Sequence, residues 1–174
     1  MNITANKYHI MKGILFLAAL TICFCSCNQK PEAHRRLTPK ERVARQDSLK
    51  GDLLKTDLAF SELSEAKGRN AAFLEYADSG ATMLRAFSMP TTGKDGIAKL
   101  LAQFPDSNVK VTWVPVYSDV ALSGDLGYTY GTYNIESKTA DNFGGTYCTI
   151  WKRSKANGWK FILSSGNEGV KPND

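Results

Sequence analysis

Apolar residues recur along this chain first at helical and then at strand spacing. Leu49, Leu53, Leu54, Leu58 and Leu63 fall near a 3.6-residue period, and Ala59 and Phe60 widen the stripe, which predicts a helix running to about Lys67. Thr38-Pro39-Lys40-Glu41 supplies its start: Thr38 as N-cap, Pro39 at the first helical position, Glu41 reaching back as a capping box. Gly68 ends it. Asn70 is placed to cap a shorter helix, Ala71 to Ala77, that buries Phe73, Leu74 and Tyr76, with Glu75 and Asp78 closing it. Thr92-Gly93-Lys94-Asp95 repeats the capping-box logic for a third helix, which presents Ile97, Leu100 and Leu101 and stops before Phe104-Pro105.

Past Pro105 the period changes to two. Val109 to Trp113 alternates, as do Leu126 to Ile135, Thr146 to Arg153 and Trp159 to Ser164. Turn chemistry separates them at Ser123-Gly124-Asp125, at Asp141 to Gly145 and at Lys155-Ala156-Asn157-Gly158, where Asn157-Gly158 is a hairpin signal. Helices followed by an antiparallel meander predict an α+β fold with the helices laid on one face of a sheet.

The amino-terminal pattern is of another kind. Gly13 to Cys27 is an apolar run behind Lys7 and Lys12 that ends in Ser26-Cys27 and leads into Asn28-Gln29-Lys30-Pro31. Positive, apolar, small and then polar is the order of a secretory leader. About 20 residues are needed to span a bilayer, and this run is shorter. A cysteine at the cut makes the segment resemble a bacterial lipoprotein signal, with Cys27 as the lipid attachment site because Ser26 provides the small residue before it. Phe24 departs from the aliphatic residue usual three places before the cysteine. A plain secretory signal or an amino-terminal anchor helix is the alternative, and Met11 is a second candidate start. The expected organisation is a signal peptide over 1–27, a spacer over 28–37 and one folded domain over 38–170. The expected location is the cell envelope, on the periplasmic or outer-membrane side, with the membrane as a partner through the lipid.

Charge and composition narrow the chemistry. Lys7 and Lys12 lie ahead of the cut, so the formal charge of +5 becomes +3 beyond it. Residues 28–50 hold seven basic side chains against three acidic ones, while residues 51–174 carry 13 basic and 14 acidic. The basicity is a property of the tether, where anionic headgroups attract roughly 1 kcal/mol per side chain near the surface. The folded part has no basic stripe, which argues against nucleic acid as a partner. Cys148 is the one cysteine beyond Cys27, and it sits in a strand pattern, as a small buried hydrophobe rather than a reactive thiol. After His34 there is no histidine, so Cys–His and Ser–His pairs and His-containing metal sites are excluded. Neither a phosphate loop, a dinucleotide fingerprint nor a calcium loop is present, and no cofactor or metal is expected.

A collinear set of residues resembles a known superfamily. It comprises Asp57 and Phe60, Gly68, Ala72 to Asp78, Gly93 to Ile97, Gly127-Tyr128-Thr129-Tyr130-Gly131-Thr132-Tyr133, Gly145 to Arg153 and Gly158-Trp159-Lys160-Phe161. Over roughly residues 50–168 the chain is similar to the cone-shaped superfamily of nuclear transport factor two, ketosteroid isomerase and the SnoaL-like cyclases, in a branch of small secreted bacterial domains of unknown function. The resemblance implies a curved antiparallel sheet wrapped on about three N-terminal helices, with an apolar pocket at the open end. It also implies, on laying Tyr76-Ala77-Asp78 over the isomerases' second helix, that Arg85 stands where those enzymes carry an Asp base. A guanidinium cannot accept a proton at pH 7. Where related domains close the last strand with Asp, this chain has Ser164. No catalytic residue is assigned on this basis.

Candidate pocket residues are Asp57, Phe60, Tyr76, Trp113, Tyr147, Trp151 and Phe161. Tyr147, Thr149 and Trp151 alternate onto one face, and so do Trp159, Phe161 and Leu163. Each aromatic has core packing as its competing reading. Tyr128 and Tyr130 lie opposite Tyr133, so one set faces solvent or a second copy of the chain in a homodimer through the sheet. Two functions follow: a cup for a small apolar or amphipathic ligand or a partner protein, and an isomerase- or cyclase-type enzyme using Asp57 with a tyrosine. Missing histidine, Arg85 at the base position and Ser164 at the last strand put binding first, and a buried carboxylate within hydrogen-bond reach of a pocket tyrosine would reverse that order.

Overall fold

The computed structural model describes residues 36–170; the leader, Cys27 and most of the spacer lie outside them. Helix α1 spans Pro39–Lys67 and has the predicted capping box: Thr38 Oγ1 accepts from the Glu41 N–H, and the Thr38 N–H donates to Glu41 Oε2 at 2.8 Å. Gly68, at φ 88°, turns the chain directly into α2, Arg69–Tyr76. A side chain at Gly68 would meet Asp106 Oδ2 at 2.7 Å. That same oxygen accepts from the Asn70 N–H at 2.8 Å, so Asp106 caps α2 in place of Asn70. The Asn70 amide instead donates to Leu101 and Phe104 carbonyls.

The chain does not pass from helix to helix here. Strand β1, Ala77–Leu84, follows α2 at once, then a two-residue β2, Thr91–Thr92, then α3, Lys94–Ala102. Gly93, at φ 83°, is the N-cap of α3, and no side chain caps it, contrary to the expected capping box. Four long strands complete the fold: β3 Val109–Val120, β4 Leu126–Ser137, β5 Phe143–Ser154 and β6 Gly158–Val170. The sheet order is β2-β1-β6-β5-β4-β3, with β1 parallel to β6 and every other pair antiparallel. Among the described residues no helix is long and apolar enough to cross a membrane.

Bulges bend the sheet over α1. One lies in β3 between Pro115 and Tyr117. Proline is tolerated there because β3 is an edge strand. Side chains of α1 cover that edge: Ser61 Oγ accepts from the Trp113 N–H at 2.7 Å, Ser64 Oγ donates to the Val111 carbonyl at 2.7 Å, and Gln46 Nε2 donates to the Val120 carbonyl at 2.7 Å. Those bonds satisfy polar groups that would otherwise invite another strand. A second bulge, in β6, pairs Trp151 with Phe161 but Ile150 with Leu163. Leu163 therefore leaves the face that Trp159 and Phe161 share, and Ser164 opposite Thr149 takes the inner position. Gly144 and Gly145, expected in a turn, lie inside β5. A side chain on Gly145 would collide with the Asn167 carbonyl and the Tyr133 ring, so only glycine lets the two strands pass so closely.

Phe60 is the centre of the aromatic core. Its ring stands 4.5 Å from Trp113, 4.8 Å from Tyr76, 4.9 Å from Phe73, 5.9 Å from Phe161 and 6.0 Å from Trp151. Most of these pairs are edge-on, the arrangement that favours aromatic contacts.

Candidate functional site

The concave face of the sheet and the two amino-terminal helices leave a cavity of about 200 Å³. Phe60 of α1 and Phe73 of α2 form one wall, with Val111 and Trp113 of β3 beside them. Tyr133 and Ile135 come from β4, Tyr147 and Thr149 from β5, and Ser164 and Glu168 from β6. Arg69 and the Arg85 that follows β1 contribute charge. The sheet's alternation places Tyr133 inside and leaves Tyr128 and Tyr130 exposed outside, where they gather around Tyr117.

Of the seven residues singled out from the pattern, Phe60, Trp113 and Tyr147 line this cavity. Asp57, Tyr76, Trp151 and Phe161 do not. Trp151 and Phe161 are fully buried between Phe60 and the sheet, where they close the narrow end of the cone. Tyr76 packs its ring on Phe60 and Trp151, with the Lys160 ammonium 5.6 Å from its centroid. Periodicity gave no sign of Arg69, Ile135 or Glu168. Cys148 is exposed, not buried, because its position in β5 alternates outward from Tyr147 and Thr149.

Asp57 sits one layer behind the wall. It is 0 % exposed, and both oxygens are held: Oδ1 accepts from Trp113 Nε1 at 2.9 Å and Oδ2 from the Tyr147 hydroxyl at 2.7 Å. Burial holds its carboxyl above the ordinary carboxylate value, against the opposing pull of hydrogen bonds from Tyr147, Thr129 and Trp113. The Tyr147 phenol is pushed well upward, first by burial and then by the Asp57 charge. A buried carboxylate thus stands in hydrogen-bond contact with a cavity tyrosine. It touches the cavity lining through that tyrosine, whose one proton it already engages, and through the Trp113 indole N–H. If Asp57 carries the proton, it donates to the Tyr147 oxygen and frees the phenol to donate elsewhere.

Arg69 is largely buried. Its Nη2 donates to the Phe104 carbonyl at 2.8 Å and stands 3.5 Å from Asp106 Oδ1. Burial lowers its pKa, the Asp106 charge opposes that shift, and the neighbouring Arg85 adds to it. Among the described residues no three histidines, cysteines or acidic residues stand together as a metal site.

No protein-family model matches the chain, and neither does any curated protein. Solved structures do match. A ketosteroid isomerase-like protein from Erwinia carotovora atroseptica is 10 % identical at a TM-score of 0.56, over 70 % of this chain and 96 % of its own. A nuclear transport factor 2-like superfamily protein from Salmonella enterica serovar Typhimurium is 10 % identical at 0.55, over 73 % and 95 %. An LEH-like epoxide hydrolase from M. tuberculosis is 11 % identical at 0.51, over 70 % and 81 %. At such identities the likeness is one of fold, and it extends across the helices, the curved unclosed sheet and their order. The chain has the cone fold of the nuclear transport factor 2-like and ketosteroid isomerase-like proteins.

Proposed function

We propose that this chain is a lipid-tethered domain of the bacterial cell envelope that holds a small amphipathic molecule in the open end of its cone. The observation that carries the binding part is the 200 Å³ cavity walled by Phe60, Phe73 and Trp113 with a few polar groups between them. Apolar walls with sparse polar groups are how proteins hold small ligands. The volume is below the roughly 300–1,000 Å³ of drug-sized sites, which favours a compact ligand. Trp113 gives the test, because Trp151 is sealed in the core. Titrating the full chain with 1-naphthol is expected to change tryptophan fluorescence saturably. Trp151→Phe keeps that response and Trp113→Phe loses it. No saturable response to 1-naphthol or to the acids and amides named below would overturn the reading.

The tether rests on the leader pattern and Ser26-Cys27. Intact-mass analysis of membrane-extracted protein is expected to show an acylated chain beginning at Cys27. A mature start elsewhere would overturn that half of the proposal and leave the binding half standing.

The 2.7 Å bond between Tyr147 and Asp57 favours a second reading, in which Tyr147 delivers a proton to a bound oxygen. The structural relatives named for isomerase and epoxide hydrolase make both chemistries worth assaying. Arg85 in the lining and a sealed Asp57 leave no carboxylate base facing a substrate from the isomerase position, so a β,γ-enone is expected to isomerise at the background rate. Turnover of that enone or of styrene oxide that disappears in Tyr147→Phe would put the enzymatic reading first.

A further inference from the structure

The charged part of the cavity lining is lopsided. Arg69, Arg85 and Glu168 all line it, two cations against one anion. Arg69 has Asp106 beside it, but Arg85 has no carboxylate within ion-pair distance among the described residues. The Arg85 guanidinium lies over the Phe104 ring, 4.3 Å from its centroid. The Phe104 carbonyl accepts from Arg69 Nη2, so one residue braces both arginines. Asn70 Oδ1 also fixes Arg69, accepting from Nε and Nη2 at 3.1 Å each, while Nη1 makes none of these bonds. Both guanidiniums thus rest against Phe104 beside an apolar wall, and the Arg85 charge acts against that of Arg69. A guanidinium presents a planar fork that fits a carboxylate, and an anion between the two would relieve the repulsion.

We propose that the cavity selects a small monoanionic carboxylate, an aryl or short-chain acid whose apolar body lies on Phe60, Phe73 and Trp113 and whose head group pairs with Arg85 and Arg69. The cavity holds on the order of seven water molecules by volume, which suits a single ring with a short acidic side chain. Glu168 in the lining works against a second negative charge, hence a monoanion. The Ser164 hydroxyl, on the inner face opposite Thr149, adds a donor for the head group. This assignment rests on the ligand-binding reading above.

Calorimetric titration of the full chain separates the two. 3-Phenylpropionate is expected to bind at least about tenfold tighter than its neutral amide, and phenylsuccinate more weakly than 3-phenylpropionate. Arg85→Gln is expected to cut the preference for the acid over the amide several-fold, with Arg69 retaining the remainder. Arg85→Lys, which keeps the charge but loses the fork, falls between that variant and the wild type and guards against a folding effect. Equal binding of acid and amide, or an acid preference that Arg85→Gln leaves undiminished, would overturn the carboxylate assignment. Binding of 1-naphthol without binding of the acid overturns it as well, and leaves the cup reading intact. Absence of binding by every probe overturns both.

Discussion

Trp113 and Trp151 project from the same concave face of one sheet, and each gives its indole N–H to a buried side-chain oxygen at 2.9 Å, Asp57 Oδ1 for one and Thr129 Oγ1 for the other. Trp151 is 0 % exposed and sits where Phe60, Tyr76 and Phe161 converge. Trp113 is 7 % exposed and has the cavity on one side. Residue type, face and hydrogen bonding are thus nearly matched, and depth along the cone differs. One end is filled as a core; the other, built from the same materials, keeps a cavity. Phe60 belongs to both, since it packs on Trp151 and also lines the cavity.

The comparison breaks most visibly under truncation. Trp151→Ala is expected to cost about 3–5 kcal/mol, because the ring has packing partners on every side and its removal leaves a hole they cannot fill. That is a large share of the 5–15 kcal/mol typical of a folded domain. Phe73→Ala, at the wide end, is expected to cost clearly less, since one side of that ring already faces open space and has fewer contacts to lose. Urea unfolding of both variants measures the gap. Equal losses would mean that the cavity collapses in solution and that the wide end is core as well.

Hydrogen bonding sharpens the contrast at a smaller scale. Trp113→Phe strips a donor from a sealed carboxylate, and a bond to a charged group contributes about 1.5–3 kcal/mol. Trp151→Phe strips a donor from a hydroxyl, worth about 0.5–1.5 kcal/mol before the change in ring size. The first cost is expected to grow with pH as Asp57 ionises, and the second to stay level. Denaturant midpoints for both variants at pH 5 and pH 8 give the answer; a pH-independent Trp113→Phe cost would show that Asp57 does not change its charge between them.

What the sequence made legible follows from these same two ends. Period and capping signals identified α1, its Thr38–Glu41 box and the four long strands, because those features are local. The α+β order and the cone were readable from the collinear set of residues. Strand β1 was hidden: Asp78 reads as the close of a helix, and in the fold it opens an irregularity in the pairing with β6, its Oδ1 accepting from the Gly80 N–H at 3.0 Å. Leu163 was assigned to the wrong face because a one-residue bulge reverses alternation and leaves no mark in composition. For Trp151 and Phe161 the choice between wall and core stays open in the sequence, because alternation tells which face a residue is on and nothing about distance from the rim. Arg69 was missed for a related reason: its role depends on Arg85, which lies 16 positions away in the chain and meets it only across the cavity lining.

Asp57 supplies the finest test, because it belongs to the boundary between the two ends. Burial raises its folded-state pKa, while in the unfolded chain it takes the ordinary value of about 3.9. Between those two values the native state holds more protons than the unfolded state, so this group's contribution to stability falls as pH rises, by up to about 1.4 kcal/mol per pH unit. Below about pH 3.9 both states are protonated and the contribution is fully present. Above the folded pKa the loss is complete and the curve levels off. Asp57→Asn cannot ionise and escapes that loss. The stability of Asp57→Asn minus that of the wild type is therefore expected to rise with pH from about 4 and then plateau, with the other titrating groups cancelling in the difference. The plateau's onset reads the native pKa directly. A flat difference would mean that the hydrogen bonds from Tyr147 and Trp113 fully offset burial. A falling one would mean that they outweigh it, leaving Asp57 a fixed anion, Tyr147 a permanent donor to it, and the cavity tyrosine with no proton to give a ligand.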